Sequence, residues 1–245
     1  MKNFRKIIFD VIDSTQIYAK RLIKEKKISL KDKIVIVAKK QISGYGRFSR
    51  KWFSPEGGLW FSIVFSPKIS LQKINQKLIP AITLSICDTA YYLLKINLYI
   101  KWPNDIIYKL NSKYKKLGGC IIETQIFKDF YFVIIGIGIN INNPIPKKIR
   151  NIAISFKDII KKDIDTENLL DNFLIQFDKK IKMNSEILYK NYKKKSIVLG
   201  KKVLIKQHDK EIYGTVINIE KDNSILLKMN NRYKKILSGD LILLT

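Results

Sequence analysis

Four stretches of this 245-residue chain hold side chains able to grip a phosphate, a carboxylate or a flat ring. Residues 41–52 carry Gly44, Gly46, Arg47, Arg50, Lys51 and Trp52. Glycines let backbone amides approach a phosphate closely, arginines add charge-assisted bonds to it, and Trp52 and Phe53 can stack on a ring such as adenine. The bland alternative is a long hairpin loop with basic residues for solubility, and Gly-x-Gly alone does not decide. Lys101-Trp102-Pro103-Asn104-Asp105 is by default a turn, yet it sets a cation and a carboxylate at a sheet rim. Lys115-Lys116-Leu117-Gly118-Gly119 puts a lysine at the mouth of a strand, although Lys116 taken singly says little in a lysine-rich chain. In Ile135-Gly136-Ile137-Gly138-Ile139-Asn140, two glycines inside a strand mark either a ligand against the backbone or a bulge.

The elements that must position these residues follow from periodicity. Residues 4–12 read as a strand, and Asp13-Ser14-Thr15 starts a helix running to about Lys26. Lys33–Lys39 and Leu59–Phe65 read as strands around the glycine-rich loop. Helical spacing over 71–95 meets Pro80, which marks a break or a new first turn. Short strands at Tyr99–Lys101 and Ile106–Tyr108, a basic turn over Lys109–Lys116, and strands at Leu117–Gln125 and Phe130–Asn140 follow. Residues 143–152 are a loop, and two or three amphipathic helices fill 155–194. From about Ile197 short apolar runs alternate with turn signals (His208-Asp209, Asp222-Asn223, Asn230-Asn231, Gly239-Asp240), predicting a small antiparallel barrel or sandwich.

Composition removes several function classes. The net charge is +26, but of the 47 basic residues only Arg5, Arg21, Arg47, Arg50, Arg150 and Arg232 are arginine. Phosphate and base recognition favours arginine's bidentate fork, so scattered lysine reads as compositional drift. One histidine, His208, and two separated cysteines, Cys87 and Cys120, leave little for triad hydrolysis or for a zinc site, and no protein metal ligands are assigned. The cysteines read as buried reduced thiols. No run has the ~18–20 apolar residues of a membrane span, and the N-terminal apolar run is too short for a signal peptide, so a cytoplasmic protein is expected.

Taken in order, Asp13-Ser14-Thr15, the run Gln41-x-x-Gly44-x-Gly46-Arg47-x-x-Arg50-Lys51-Trp52-x-Ser54-Pro55, Lys101 to Asp105, Lys116 to Gly119, and Gly136-x-Gly138-x-Asn140 resemble the biotin–protein ligases. The match runs from about Ile12 to Asn143, with a looser likeness in the C-terminal barrel. It implies an α+β fold: a central mixed β-sheet flanked by helices, like a class II synthetase catalytic domain, in residues 1–195, plus a small SH3-like β-barrel in 196–245. It implies ATP, biotin and Mg²⁺ as small molecules and a biotin carboxyl carrier protein as partner, with neither DNA nor membrane, in a monomer or homodimer.

Carried over by position, Ser14, Thr15, Gln16, Gln41, Tyr45, Gly46, Arg47 and Lys116 would bind biotin. Gly44, Arg47, Arg50, Lys51, Trp52 and Asn140 would bind the adenylate, and Arg47, Lys101, Asp105 and Lys116 would act in catalysis. Two positions depart from the family pattern. Tyr45 stands where the first arginine of Gly-Arg-Gly-Arg is common, and Ser49 where a glycine is usual. The N-terminal helix-turn-helix of some relatives has no room before residue 12, so repressor activity is not expected. A lipoate ligase of the same superfamily is the nearest rival, and a nucleic-acid-binding protein the rival of another class.

Overall fold

The computed structural model describes residues 4–207, 210–230 and 232–244. The expected turns at His208-Asp209 and Asn231 fall outside these. In chain order the strands are β1 (Arg5–Ile12), β2 (Lys33–Gln41), β3 (Leu59–Phe65), β4 (Tyr99–Lys101), β5 (Asp105–Leu110), β6 (Lys113–Ile126), β7 (Tyr131–Ile139), β8 (Lys202–Gln207), β9 (Lys210–Ile219), β10 (Ile225–Met229), β11 (Arg232–Ile236) and β12 (Asp240–Leu243). The helices are α1 (Thr15–Lys24), α2 (Ile74–Leu94), α3 (Phe156–Ile160), α4 (Thr166–Lys182) and α5 (Ser185–Lys195). The chain divides into two compact units, Met1–Ile69 with Tyr108–Ile175, and Ser70–Ile107 with Gln176–Thr245.

In the first unit the strands lie in the order β1-β2-β3-β7-β6. β1 and β2 are parallel while β2–β3, β3–β7 and β7–β6 are antiparallel, so the sheet is mixed, as expected. β3 is buried along its whole length, which its unbroken apolar run Leu-Trp-Phe-Ser-Ile-Val-Phe requires. Ala19, Leu22 and Ile23 of α1 pack on Ile34, Ile36, Val64 and Ile134 of the sheet. Each such Leu or Ile contributes roughly 1.5–3 kcal/mol relative to exposure, which fixes α1 on the sheet face that carries the site. The β3–β7 and β6–β7 registers run without a shift, so the two glycines of β7 do not mark a bulge. The basic turn expected over Lys109–Lys116 is shorter than that. β5 continues to Leu110 and β6 starts at Lys113, joined through Asn111 and Ser112 at φ 44° and 67°. Positive φ at both linking residues is the tight-hairpin geometry that matches strand twist, and it lets the flanking lysines enter strands.

In the second unit α2 runs through Pro80 without breaking, against expectation. Residues 80–87 of α2 are all buried, and this packing outweighs the missing backbone donor; Thr83 Oγ1 also donates to the Ile79 carbonyl at 2.8 Å. β4 pairs antiparallel with the start of β5. The C-terminal strands form a five-stranded antiparallel sheet ordered β11-β10-β9-β8-β12, the barrel-like element anticipated from the turn spacing. Among the described residues no helix is long and apolar enough to cross a membrane.

Candidate active site

The glycine-rich loop between β2 and β3 is a hairpin paired with itself. Gln41 N donates to Ser54 O, Trp52 N to Gly44 O and Gly46 N to Arg50 O, at 2.8–3.0 Å. Gly44 is obligatory here, because a Cβ would lie 2.5 Å from Ser54 Oγ and 3.0 Å from the Trp52 carbonyl. At the tip Phe48 and Ser49 both adopt positive φ, 55° and 56°. The Arg47 and Arg50 guanidinium groups lie 4.9 and 5.6 Å from the Phe48 ring centre, so one exposed ring carries two cations.

Gln41 joins this loop to the start of α1. Its Oε1 accepts from Thr15 N at 2.9 Å and Thr15 Oγ1 at 3.1 Å, while its Nε2 donates to Ser54 Oγ at 3.0 Å. Ser62 Oγ of β3 in turn donates to Thr15 Oγ1 at 2.8 Å. Ser14 is the N-cap residue of α1, buried, and makes no side-chain cap bond. Ser14, Thr15, Gln16 and Gln41 therefore meet in one place, held by a hydrogen-bonded chain across three elements.

The two glycines of β7 make room for protein side chains of that same cluster. A Cβ on Gly136 would stand 2.9 Å from Gln16 Cδ, and one on Gly138 would stand 2.6 Å from Trp52 Nε1. Residues two apart in a strand face the same way, so Gln16 and Trp52 lie side by side over the sheet. Each leaves a buried polar atom, Gln16 Oε1 and Trp52 Nε1, with no hydrogen-bond partner among the described residues. Unmet buried polar atoms cost ~1–3 kcal/mol each, and a ligand with its own donor and acceptor removes that cost. Lys116 Nζ lies 5.0 Å from the Trp52 ring centre, on the site.

Asn140 is turned into the protein. Its Nδ2 donates to Ile154 O at 3.3 Å and its Oδ1 accepts from Asn143 Nδ2 at 3.1 Å, which fixes the segment after β7. Lys101 and Asp105 belong to the second unit, where they face each other as strand partners across the β4–β5 turn. That turn, which contains a cis Trp102–Pro103 bond, is anchored by two contacts. Trp102 Nε1 donates to Asn223 O at 2.6 Å, and Tyr192 OH of α5 to Pro103 O at 2.8 Å.

Sequence reasoning held Ser54 in the loop motif without giving it a role, and missed Ser62, Lys20 and Glu123. Glu123 Oε2 accepts from Gln16 Nε2 at 2.7 Å and Tyr45 OH at 2.9 Å, and its Oε1 pairs with Lys20 at 2.7 Å. The signal was available: a carboxylate directly after the apolar stretch 117–122 of β6, and a lysine one helical turn beyond Gln16. Burial works against the Lys20 ammonium, but hydrogen bonds with Glu123 and Tyr45 outweigh it and raise its pKa. Burial, with Glu123 beside it, pushes the Tyr45 hydroxyl up as well.

Residues 8–140 match the model of the biotin/lipoate A/B protein ligase family. The chain belongs to that family. It is 32% identical over 247 residues to the bifunctional ligase/repressor BirA of Bacillus subtilis, covering 96% of this chain and 73% of that one. Its structure resembles the biotin protein ligase from Aquifex aeolicus in complex with biotin and ATP, with TM-score 0.80, 30% identity and 99% of both chains covered. The biotin protein ligase of Leishmania major in complex with biotinyl-5-AMP shares the fold at TM-score 0.65 and 22% identity.

Proposed function

We propose that this chain is an ATP-dependent biotin–protein ligase that forms biotinyl-5′-AMP and transfers biotin to a lysine of a biotin carboxyl carrier protein. The observation that carries the reading is the assembly of Thr15, Gln16, Gln41, Trp52 and Lys116 around two unsatisfied buried polar atoms, beneath a loop bearing Arg47, Arg50 and Lys51. Gln16 Oε1 can accept from a ureido N–H, and Trp52 Nε1 can donate to a ligand oxygen. Ser14, Thr15, Gln16, Gln41, Tyr45 and Gly46 form the biotin end in this proposal. Gly44, Arg47, Arg50, Lys51, Trp52 and Asn140 serve the nucleotide, Asn140 by fixing the chain after β7.

In the first step a biotin carboxylate oxygen attacks the α-phosphorus of ATP and pyrophosphate leaves. Two anions must meet, so the barrier is largely electrostatic and positional, and Arg47 and Lys116 offset the repulsion, a part that the family resemblance also gives to Lys101. In the second step the carrier lysine amine attacks the acyl carbon, AMP leaves, and Asp105 orients the amine or accepts its proton. Among the described residues no group of three or more His, Cys, Asp or Glu could hold a metal. We therefore assign Mg²⁺ to the phosphates of ATP, whose charge it would partly neutralise. Residues 1–195 are assigned to this chemistry and the barrel in 196–245 to a supporting role, in a cytoplasmic monomer or homodimer.

The test incubates the protein with biotin, Mg·ATP and a carrier domain and reads a biotinyl mass gain on the carrier. Absence of the gain overturns the proposal. Pyrophosphate exchange that responds to lipoate and not to biotin would instead establish the rival ligase activity.

A further inference from the structure

The five-stranded sheet at the C-terminus turns its apolar residues inward, and Val203, Ile205, Val216 and Leu227 are fully buried. The residues that alternate with them face outward, and the register sets these in rows across the strands. In one row Lys202 of β8 and Lys228 of β10 both pair with Thr215 of β9, and Tyr233 of β11 pairs with Lys228. Two lysines thus stand about 10 Å apart, two strand spacings, on either side of a small hydroxyl residue. Tyr213, two residues along β9 from Thr215, shares that face, and both Tyr213 and Tyr233 are exposed. Lys202, Tyr213, Lys228 and Arg232 line one cleft of about 680 Å³. Among the described residues its one carboxylate is Glu211, which is already taken by Lys206 at 2.8 Å and by the Tyr213 hydroxyl at 3.0 Å. Lys202, Lys228 and Arg232 have no acidic partner among the described residues.

Charge alone would not single out this face, since lysine is abundant along the whole chain. The arrangement does. Like charges set in one row with no acid between them repel, and a bound polyanion removes that cost. Protein–protein interfaces are poor in lysine at their centres, and a second copy of a +26 chain would add repulsion. Lysine holds phosphates as a point charge without arginine's fork, so it positions a backbone and does not read base edges. Exposed rings stack on bases that no duplex has paired. We propose that the outer face of the barrel binds single-stranded nucleic acid without sequence preference, as a function separate from ligation. Lys202, Lys228 and Arg232 hold phosphates, and Tyr213 and Tyr233 stack on bases.

The experiment follows the fluorescence anisotropy of a labelled oligothymidylate of about twelve nucleotides as full-length protein is added, with neither biotin nor ATP present. Three phosphate contacts predict an affinity that falls about twentyfold between about 50 and 200 mM salt. Lys202→Gln combined with Lys228→Gln should leave a fall of only about threefold over the same range. Tyr213→Ala or Tyr233→Ala should weaken binding about tenfold with the salt response unchanged. All four positions are exposed or half-buried, and melting temperature checks that the variants fold. Lys31→Gln combined with Lys162→Gln removes two exposed lysines of the first unit and should bind as the wild type does. An equal loss in that control would assign the binding to overall charge and overturn the proposal. Equal affinity for a duplex of the same length would overturn it too, as would displacement by polyglutamate of matching charge, which would mark an acidic protein as the occupant. No binding at about 50 mM salt would end it outright. Ligase activity enters none of these readings, so they stand apart from the proposed function.

Discussion

At Lys116 an ammonium rests against the Trp52 ring, and at Arg47 a guanidinium rests against Phe48. Aromatic faces attract cations and orient them beside the site. Lys116→Ala should therefore lower biotin-dependent pyrophosphate exchange about 100-fold, the usual loss for one transition-state contact, with little change in thermal stability. At Ser49 the backbone accounts for the glycine usual in the pattern, and nothing in the structure explains the serine. The position sits at φ 56°, where residues other than glycine are strained by roughly 1–2 kcal/mol. Ser49→Gly should relieve that strain and raise stability by about 1 kcal/mol, measurable from the urea midpoint. At this scale the motif residues were legible, because Gln41, Gly44, Thr15 and Trp52 do converge. Glu123 and Lys20 were not, since only the fold brings positions 103 residues apart within bonding distance.

The elements were legible where period and turn chemistry agreed: β1 to β3, α1, β7 and the C-terminal strands. The reading failed at Pro80, where burial overrode a local breaker, and over Lys109–Lys116, where a two-residue turn left the lysines in strands. The glycines of β7 were read as room for a ligand against the backbone or as a bulge; Gln16 and Trp52 stand over them instead, which depended on α1 and the loop folding over β7. In α2, burial pushes the Cys87 thiol up to about 12 from its usual 9.0. A raised folded pKa means this contribution is intact below pH 9.0 and is lost as pH climbs toward 12. Urea titrations should show stability falling by up to about 1.4 kcal/mol per pH unit in that window from this group, and Cys87→Ala should flatten the slope. Trp102→Phe removes the indole bond to Asn223 O and should cost about 1–2 kcal/mol, read from the melting curve, while slowing transfer through the Lys101–Asp105 turn.

For the whole molecule, +26 remains largely a matter of composition, but a field of that size still acts on charged substrates. Raising salt from about 50 to 500 mM should increase KM for polyanionic ATP several-fold more than KM for biotin, because screening scales with the charges involved. Equal salt responses would show that the field contributes nothing to substrate capture. The barrel carries an open cleft of about 680 Å³ lined by Lys202, Glu211, Tyr213, Lys228 and Arg232, which shares no residue with the motif set.

The path of the chain between its compact units has a consequence for biosynthesis. The polypeptide leaves the first unit after Ile69, returns at Tyr108 and leaves again after Ile175. On the ribosome, the α2–β4 segment emerges nearly seventy residues before Gln176, where the rest of its own unit begins. It must wait with Trp102 unpaired until Asn223 is made. Nascent chains halted between those points would expose the apolar face of α2 to chaperones, and stop codons placed there should yield material that is bound or degraded.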